Sequence, residues 1–215
     1  MGSIAYAPPV ELADLLDPAS TAVVTMELQR GVVGDLAGIP SIAAVSSERS
    51  LLPACRRLLD AARGAGVPVI HALAVWRSDR SGTKFNAPIL RMLESSESQV
   101  LEGTPAVDLA TELGDCSEDR RSIRHHGLTP FTGTDLHDQL TDVGARTVVA
   151  CGVSLNVGVT GLCLSAVDLG YEVVVPVDAV VGVPDDYGAD VIRHTLAAVA
   201  TLSDVPQICD IWGAV

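Results

Sequence analysis

Apolar segments of strand length alternate along the chain with segments of helical periodicity. Strands are predicted at 21–27, 67–76, 146–152 and 171–178, with weaker candidates at 119–126 and 205–209. Helices are predicted at 47–64, 88–95, 133–143, 157–169 and 186–202. This alternation is typical of a mostly parallel sheet with helices on both faces. We therefore predict an α/β fold, with about six strands, in a single doubly wound domain over 1–215 that begins with an N-terminal arm at 1–18.

Composition narrows the class of protein. The 215 residues carry a formal net charge of −13, which argues against nucleic acid or an anionic membrane as a partner. No apolar run is long enough to span a bilayer, and the N-terminus lacks the pattern of a signal peptide, so we expect a cytoplasmic protein. The five cysteines are scattered without metal-type spacing, which favours buried reduced thiols. We expect neither a metal nor a cofactor.

Candidate chemistry lies where predicted strands end, because ligands of open parallel sheets bind beyond the carboxyl ends of the strands. Glu27 closes an apolar strand, and such a carboxyl group suits general acid or base catalysis; the alternative is an edge acid paired with Arg30. Arg77 follows the second strand. Arg124, His125 and His126 form a basic group that binds a carboxylate or places a proton donor, or is simply solvated.

A sharp turn at 152–158 joins a strand to a helix, like the elbows that hold nucleophiles in α/β enzymes. Its backbone amides from Val153 to Gly158 are candidates for binding an oxyanion or a carboxylate. Ser154 and Asn156 add side-chain contacts, and Phe131 is a further substrate-binding candidate. A plain tight connection with a packing glycine is an equal alternative. His71 and Glu27 could complete a metal site with the histidines, but their spacing is not specific.

Three segments together resemble the isochorismatase-like cysteine hydrolases, a family that includes nicotinamidases, carbamoyl-amidohydrolases and isochorismatase. They are "TAVVTMELQRGVV", "HHGLTPFTGTDLHDQLTDVGARTVVACGVSLNVGV" and "AVDLGYEVVVPVDAV", and the resemblance covers essentially the whole chain. The amidases of this family use an Asp, a Lys and a Cys. The matching positions here are Glu27, His125 and Gly158, with Arg124 as a substitute for the lysine if the loop is shifted by one residue.

The missing thiol changes the chemistry that the resemblance implies. Cys163 lies five residues beyond Gly158, about 140° further round a helix, and is therefore a poor replacement. Isochorismatase-like members also carry glycine at the elbow, because protonation of a vinyl ether followed by capture by water needs no nucleophilic side chain. The resemblance further implies a homodimer or homotetramer and a cis peptide bond between Val153 and Ser154.

The leading hypothesis is an enzyme that acts on a small, carboxylated metabolite by non-covalent acid–base catalysis. Vinyl-ether hydrolysis, isomerisation, cyclisation and decarboxylation are all open. Glu27 would be the acid or base, and Arg124 or His125 would stabilise negative charge. Two alternatives remain: a catalytically silent binding or structural subunit, and an amidohydrolase with a rearranged thiol.

Overall fold

A parallel sheet forms the centre of the computed structural model, which describes residues 10–96 and 98–213. Its seven strands are β1 Thr21–Met26, β2 Val69–Ala74, β3 Arg120–Arg124, β4 Thr147–Val153, β5 Glu172–Pro176, β6 Val180–Val181 and β7 Thr201–Ser203. The order across the sheet is β3-β2-β1-β4-β5-β7, and β6 pairs with the end of β4. Every pairing between these strands is parallel. The predicted α/β class and single mostly parallel sheet are confirmed.

Helices connect the strands. They are α1 Leu12–Leu15, α2 Pro40–Glu48, α3 Leu51–Gly64, α4 Pro88–Glu94, α5 Leu136–Asp142, α6 Thr160–Asp168, α7 Asp185–His194 and α8 Val205–Ile211. Short 3-10 turns lie at Pro18–Ser20, Pro105–Val107, Thr111–Leu113 and Leu196–Ala198, and one π-helical turn, Leu155–Val159, precedes α6. No helix within the described ranges has the length and apolar character needed to cross a membrane.

Two hydrophobic cores lie on opposite faces of the sheet. Alternate residues of β1 point to opposite sides, so Val23 packs in the core that α3 and α8 cover, and Val24 in the core that α5 and α6 cover. Because both faces are covered, the central strands β1, β2 and β4 are buried along their whole length. This explains why those strands were continuous apolar runs in the sequence.

Several predicted boundaries were wrong. The helix predicted at 47–64 is two helices, and the chain breaks between them at Ser50, whose φ is +54°. The helix predicted at 186–202 ends at His194 and is followed by a 3-10 turn and β7. The edge strand predicted at 205–209 is helix α8, because Asp204 caps the amide of Gln207 at 2.9 Å and Pro206 occupies the first turn.

Other elements match their sequence signals more closely. β3 is the weak strand candidate; it lies at the sheet edge with Ile123 44% exposed, which accounts for its polarity. The N-cap of α5 is Asp135, and the hydroxyl oxygen of Thr134 accepts a bond from the amide of Leu136 at 3.3 Å. The predicted arm at 1–18 includes α1, and residues 1–9 lie outside the described residues. All five cysteines are free and buried, as expected.

A polar network crosses the α3 face of the sheet. The hydroxyl of Thr25 donates to Nδ1 of His71 at 2.7 Å, and Nε2 of His71 donates to Asp119 at 2.9 Å. The guanidinium of Arg63 contacts Asp119 at 2.5 Å and the thiol of Cys116 at 3.3 Å. His71, Cys116 and Asp119 have the spacing of metal ligands, but both nitrogens of His71 are in use and Arg63 already supplies the positive charge.

Asp119 stabilises this network as a carboxylate. Burial by itself raises its pKa, but hydrogen bonds from His71 and Arg63 outweigh burial and hold the pKa well below its usual range. A lowered pKa in the folded state contributes stability above the unfolded pKa of about 3.9 and loses it as the pH falls through the folded value.

We predict that Asp119→Asn lowers the free energy of unfolding by about 2 kcal/mol at pH 7, since it leaves polar groups of His71 and Arg63 without an ionic partner. Between pH 5 and 2, the variant should lose less stability than the wild type. Asp142→Asn is the matched control: this carboxylate is 66% exposed in its pair with Arg120, so the change should stay within about 0.5 kcal/mol. Urea unfolding at several pH values measures both, and equal effects of the two substitutions would contradict the prediction.

Candidate active site

A cavity opens at the carboxyl ends of β1, β2 and β4, where the sequence placed the chemistry. It encloses about 90 Å³. Among the described residues, four polar side chains line it, namely Glu27, Ser98, Gln99 and Ser154. Apolar side chains form most of the rest: Val32, Ile39, Ile42, Ala74, Trp76, Ile89, Leu93, Val100, Leu128 and Val157. Two loop glycines, Gly31 and Gly158, complete the wall.

Glu27 directly follows β1, and it lines this cavity. Its amide donates to the carbonyl of Ala72 at 3.0 Å, which continues the β1–β2 ladder by one bond. Its φ is +53°, a left-handed conformation that costs a residue with a side chain roughly 1–2 kcal/mol. Strained conformations of this kind cluster at functional sites, which favours a functional role over a plain edge acid. Arg30, the alternative partner, pairs with Asp35 instead, at 2.7 Å.

Arg124 forms an ion pair with Glu27. It is the last residue of β3, two strands away from β1, and its side chain crosses the end of β2 at Ala74 to bring Nη2 to Oε1 of Glu27. Arg124 is 6% exposed and the carboxylate 19% exposed. Nη1 of Arg124 is buried and has no hydrogen-bond partner among the described residues. The structure thus places Arg124, rather than His125, beside the acid.

The other basic candidates are held elsewhere. His125 donates from Nδ1 to the carbonyl of Val75 at 2.7 Å. Nδ1 of His126 accepts a hydrogen bond from the amide of Lys84 at 3.2 Å, and Arg77 donates to the carbonyl of Ser81 at 3.1 Å. These three side chains therefore organise the loop after β2, and they are not among the described residues that line the cavity.

The elbow is partly built as expected. The peptide bond between Val153 and Ser154 is cis. Ser154 lines the cavity, and its hydroxyl donates to Oδ1 of Asn156 at 2.7 Å; Asn156 itself donates to the carbonyl of Val183 at 3.3 Å. The amide of Val157 donates to the carbonyl of Ser154 at 3.1 Å. It is therefore not available to bind an oxyanion, the role predicted for the amides of this segment.

Gly158 faces the side chain of Met26. A Cβ at position 158 would lie 2.9 Å from Cε of Met26 and 3.0 Å from the carbonyl oxygen of Val153. Distances this short force a neighbour to move. The volume that a cysteine would need at the elbow is therefore occupied by Met26, which belongs to the core on the α6 side.

Three further residues lie away from the acid. Phe131 stacks on Tyr171 with ring centroids 6.4 Å apart and packs against the core on the α5 and α6 side. Cys163 is fully buried in that core, and burial raises its pKa to about 12. Asp178, at the end of the predicted fourth strand, accepts the amide of Val205 at 2.9 Å and so caps the start of α8.

Sequence reasoning missed the apolar wall of the cavity. Trp76 was assigned to a strand, and Gln99 and Leu128 were assigned to loops without a role. Apolar residues such as Ile39 and Val100 within otherwise polar loops were the available signal, but their contacts depend on how two distant loops meet. The hydroxyl of Ser98 donates to the carbonyl of Leu36, which joins those loops over the cavity.

Gln29 fixes the cavity wall from behind. Its buried amide exchanges two hydrogen bonds with the backbone of Ala74, both 2.9 Å, and also donates to the carbonyl of Val107 at 3.2 Å. The side chain thus extends the β1–β2 pairing beyond the strand end. It holds Ala74, and with it the entry to the Trp76 loop, against β1.

Comparison with known proteins identifies the fold and family. The model of the isochorismatase domain matches residues 21–207. The uncharacterized isochorismatase family protein YecD of Escherichia coli O157:H7 is 28% identical over 200 residues, which span 90% of this chain and 96% of YecD. The uncharacterized isochorismatase family protein YwoC of Bacillus subtilis (strain 168) is 24% identical over 164 residues, which span 76% of this chain and 79% of YwoC.

Solved structures share the same fold. A cysteine hydrolase from Pseudomonas syringae pv. phaseolicola superposes with a TM-score of 0.75 at 23% identity, covering 92% of this chain and 94% of that chain. N-carbamoylsarcosine amidase from Thermoplasma acidophilum gives a TM-score of 0.66 at 22% identity, covering 86% of this chain and 96% of that chain.

The contact between Gly158 and Met26 predicts that a side chain at position 158 destabilises the fold. Gly158→Cys and Gly158→Ala should each lower the free energy of unfolding by about 1–3 kcal/mol, because both overpack the core. Gly158→Cys should show no amidase activity. Gly64→Ala is the control, since a Cβ there has no neighbour within 4 Å, and it should be neutral or slightly stabilising. A fully stable Gly158→Cys protein in thermal unfolding would count against this packing argument.

Proposed function

Because the chain belongs to the isochorismatase family, we propose that it is an enzyme that acts on a small metabolite by acid–base catalysis, without a covalent intermediate. The observation that carries the proposal is the pairing of Glu27 with Arg124 at the edge of a mostly apolar cavity. A carboxyl group with strained backbone and a buried cationic partner is typical of catalytic groups.

Glu27 is the proton-transferring group of this proposal. In the ion pair it is a carboxylate, the form that removes a proton from a substrate and returns it to another atom in an isomerisation or a cyclisation. In vinyl-ether hydrolysis, Glu27 first takes a proton from solvent and delivers it to the enol carbon. Water then adds to the oxocarbenium ion and loses a proton to the Glu27 carboxylate. The resulting hemiketal breaks down to a carbonyl compound and an alcohol.

The thiol-based alternative has little support from the geometry. Among the described residues, no cysteine lines the cavity, and Cys163, five residues beyond Gly158, lies in the core with its pKa raised by burial. A protonated, buried thiol is a poor nucleophile.

The acid–base chemistry predicted from the sequence is kept in this proposal. The carboxylated substrate predicted from the sequence has less support. Arg124, His125 and the elbow amides were the groups expected to hold a carboxylate. Neither basic side chain is among the described residues that line the cavity, and of the elbow amides that of Val157 is already bonded to the carbonyl of Ser154.

We also propose that the chain forms a homodimer or homotetramer. Leu164 and Val167 of α6 are 44% and 40% exposed and lie three residues apart on one side of the helix, with Leu169 43% exposed beyond them. Light scattering at micromolar concentration should report more than one chain per particle, and Leu164→Glu with Val167→Glu should reduce it. A wild-type monomer would refute the assembly.

The catalytic proposal predicts that Glu27→Gln lowers turnover at least about a hundredfold, because the amide cannot transfer the proton. Binding of the substrate should persist. The control is Glu172→Gln, an exposed acid at the opposite end of the sheet, which should leave turnover unchanged. A thermal-shift screen of both proteins against vinyl ethers, amides and carboxylates finds ligands, and product analysis finds turnover.

A different outcome would favour the silent-subunit alternative. If ligands bind wild type and Glu27→Gln equally and neither protein consumes any of them, the ion pair has only a structural role.

A further inference from the structure

The polar groups of the cavity point to the class of its ligand. We propose that the substrate is uncharged and consists of a compact apolar body that carries one hydrogen-bond-donating group, such as a hydroxyl or a carboxamide. This inference rests on the proposed function in taking the cavity as the substrate site.

Charge is the first argument. Of the described lining residues, Glu27 is the only ionisable one, and Arg124 already neutralises it. A substrate carboxylate would enter an apolar cavity beside another carboxylate, with no cation in the lining to receive it. Burial of an unpaired charge is strongly unfavourable. Glu27 would attract a substrate cation, but Arg124 already balances the charge of this carboxylate.

Hydrogen-bond direction is the second argument. The hydroxyl proton of Ser154 is donated to Asn156 and that of Ser98 to the carbonyl of Leu36. The amide of Gln99 donates to the carbonyls of Glu94 and Ser96, at 2.6 and 2.9 Å. These three side chains and Glu27 therefore offer acceptor oxygens to a ligand. Among the described lining residues, the indole N–H of Trp76 is the remaining side-chain donor. A carboxylate, which only accepts, does not match these side chains, whereas a hydroxyl or carboxamide both donates and accepts.

The cavity wall is the third argument. Trp76 is 5% exposed, and Phe85 packs edge-on against its ring at 5.4 Å between centroids. The guanidinium of Arg80 lies 5.1 Å from the Trp76 centroid and is bonded to Gln99, so it braces the wall and is not among the described lining residues. A rigid apolar wall of this kind favours a compact hydrocarbon or aromatic body.

Isothermal titration of the full chain with benzamide, benzoate and benzylamine tests the proposal, because the three probes differ little in shape. Benzamide should bind at least tenfold more tightly than benzoate and more tightly than benzylamine. The apolar site should be confirmed by Trp76→Ala, which should weaken benzamide at least fivefold. Benzoate binding as tightly as benzamide would overturn the inference and would assign the buried Nη1 of Arg124 to a carboxylate. Absence of benzamide binding at millimolar concentration would also overturn it.

A variant that adds a cation to the cavity makes the test reciprocal. Ile89 lines the cavity from α4 and is half-buried, so Ile89→Arg should raise benzoate affinity at least tenfold relative to wild type. Ile211→Arg places the same charge on the exposed side of α8 and should leave both affinities unchanged. These readouts are binding affinities, so they stand apart from the turnover test of Glu27→Gln: a failed selectivity leaves the acid–base proposal intact, and a failed turnover leaves the selectivity intact.

Discussion

The ion pair between Glu27 and Arg124 joins the ends of two strands that are not neighbours in the sheet. It requires β2 to lie between β1 and β3, and it requires a small residue, Ala74, at the end of β2 beneath the arginine side chain. Gln29 secures that strand end through its paired bonds to the Ala74 backbone. The cavity, the strained backbone of Glu27 and the proposed proton transfer all depend on this arrangement.

Packing is tight around Gly158 of the elbow. Met26 precedes Glu27 directly, and its side chain fills the space that a Cβ at Gly158 would need. The acid and the residue whose side chain lies against Gly158 are thus adjacent in the chain. A side chain at Gly158 would require Met26 to move, whereas the proposed acid–base chemistry needs no side chain at that position.

The same strand connects the site to a second polar network. Thr25 points to the α3 face, where His71, Asp119 and Arg63 form a hydrogen-bonded chain, while Met26 points to the α6 face. Buried polar groups of this kind contribute stability only when every member has a partner, because an unpaired member keeps its full desolvation cost. The network therefore fixes the pairing of β1 with β2 close to the point where Glu27 leaves the sheet.

The sequence by itself determined the fold class, the acid at the end of β1, the elbow without a cysteine and the family resemblance, because apolar periodicity and strand-end chemistry are local signals. It misassigned 205–209 as a strand, because the Asp204 cap and Pro206 outweigh an apolar run of that length. Only the tertiary structure decided that Arg124 and not His125 meets Glu27, that Met26 occupies the nucleophile's space, and that Trp76, Gln99 and the loop around Ile39 enclose the cavity. These contacts join residues far apart in the chain, and they follow from strand order and loop packing, which no local pattern encodes.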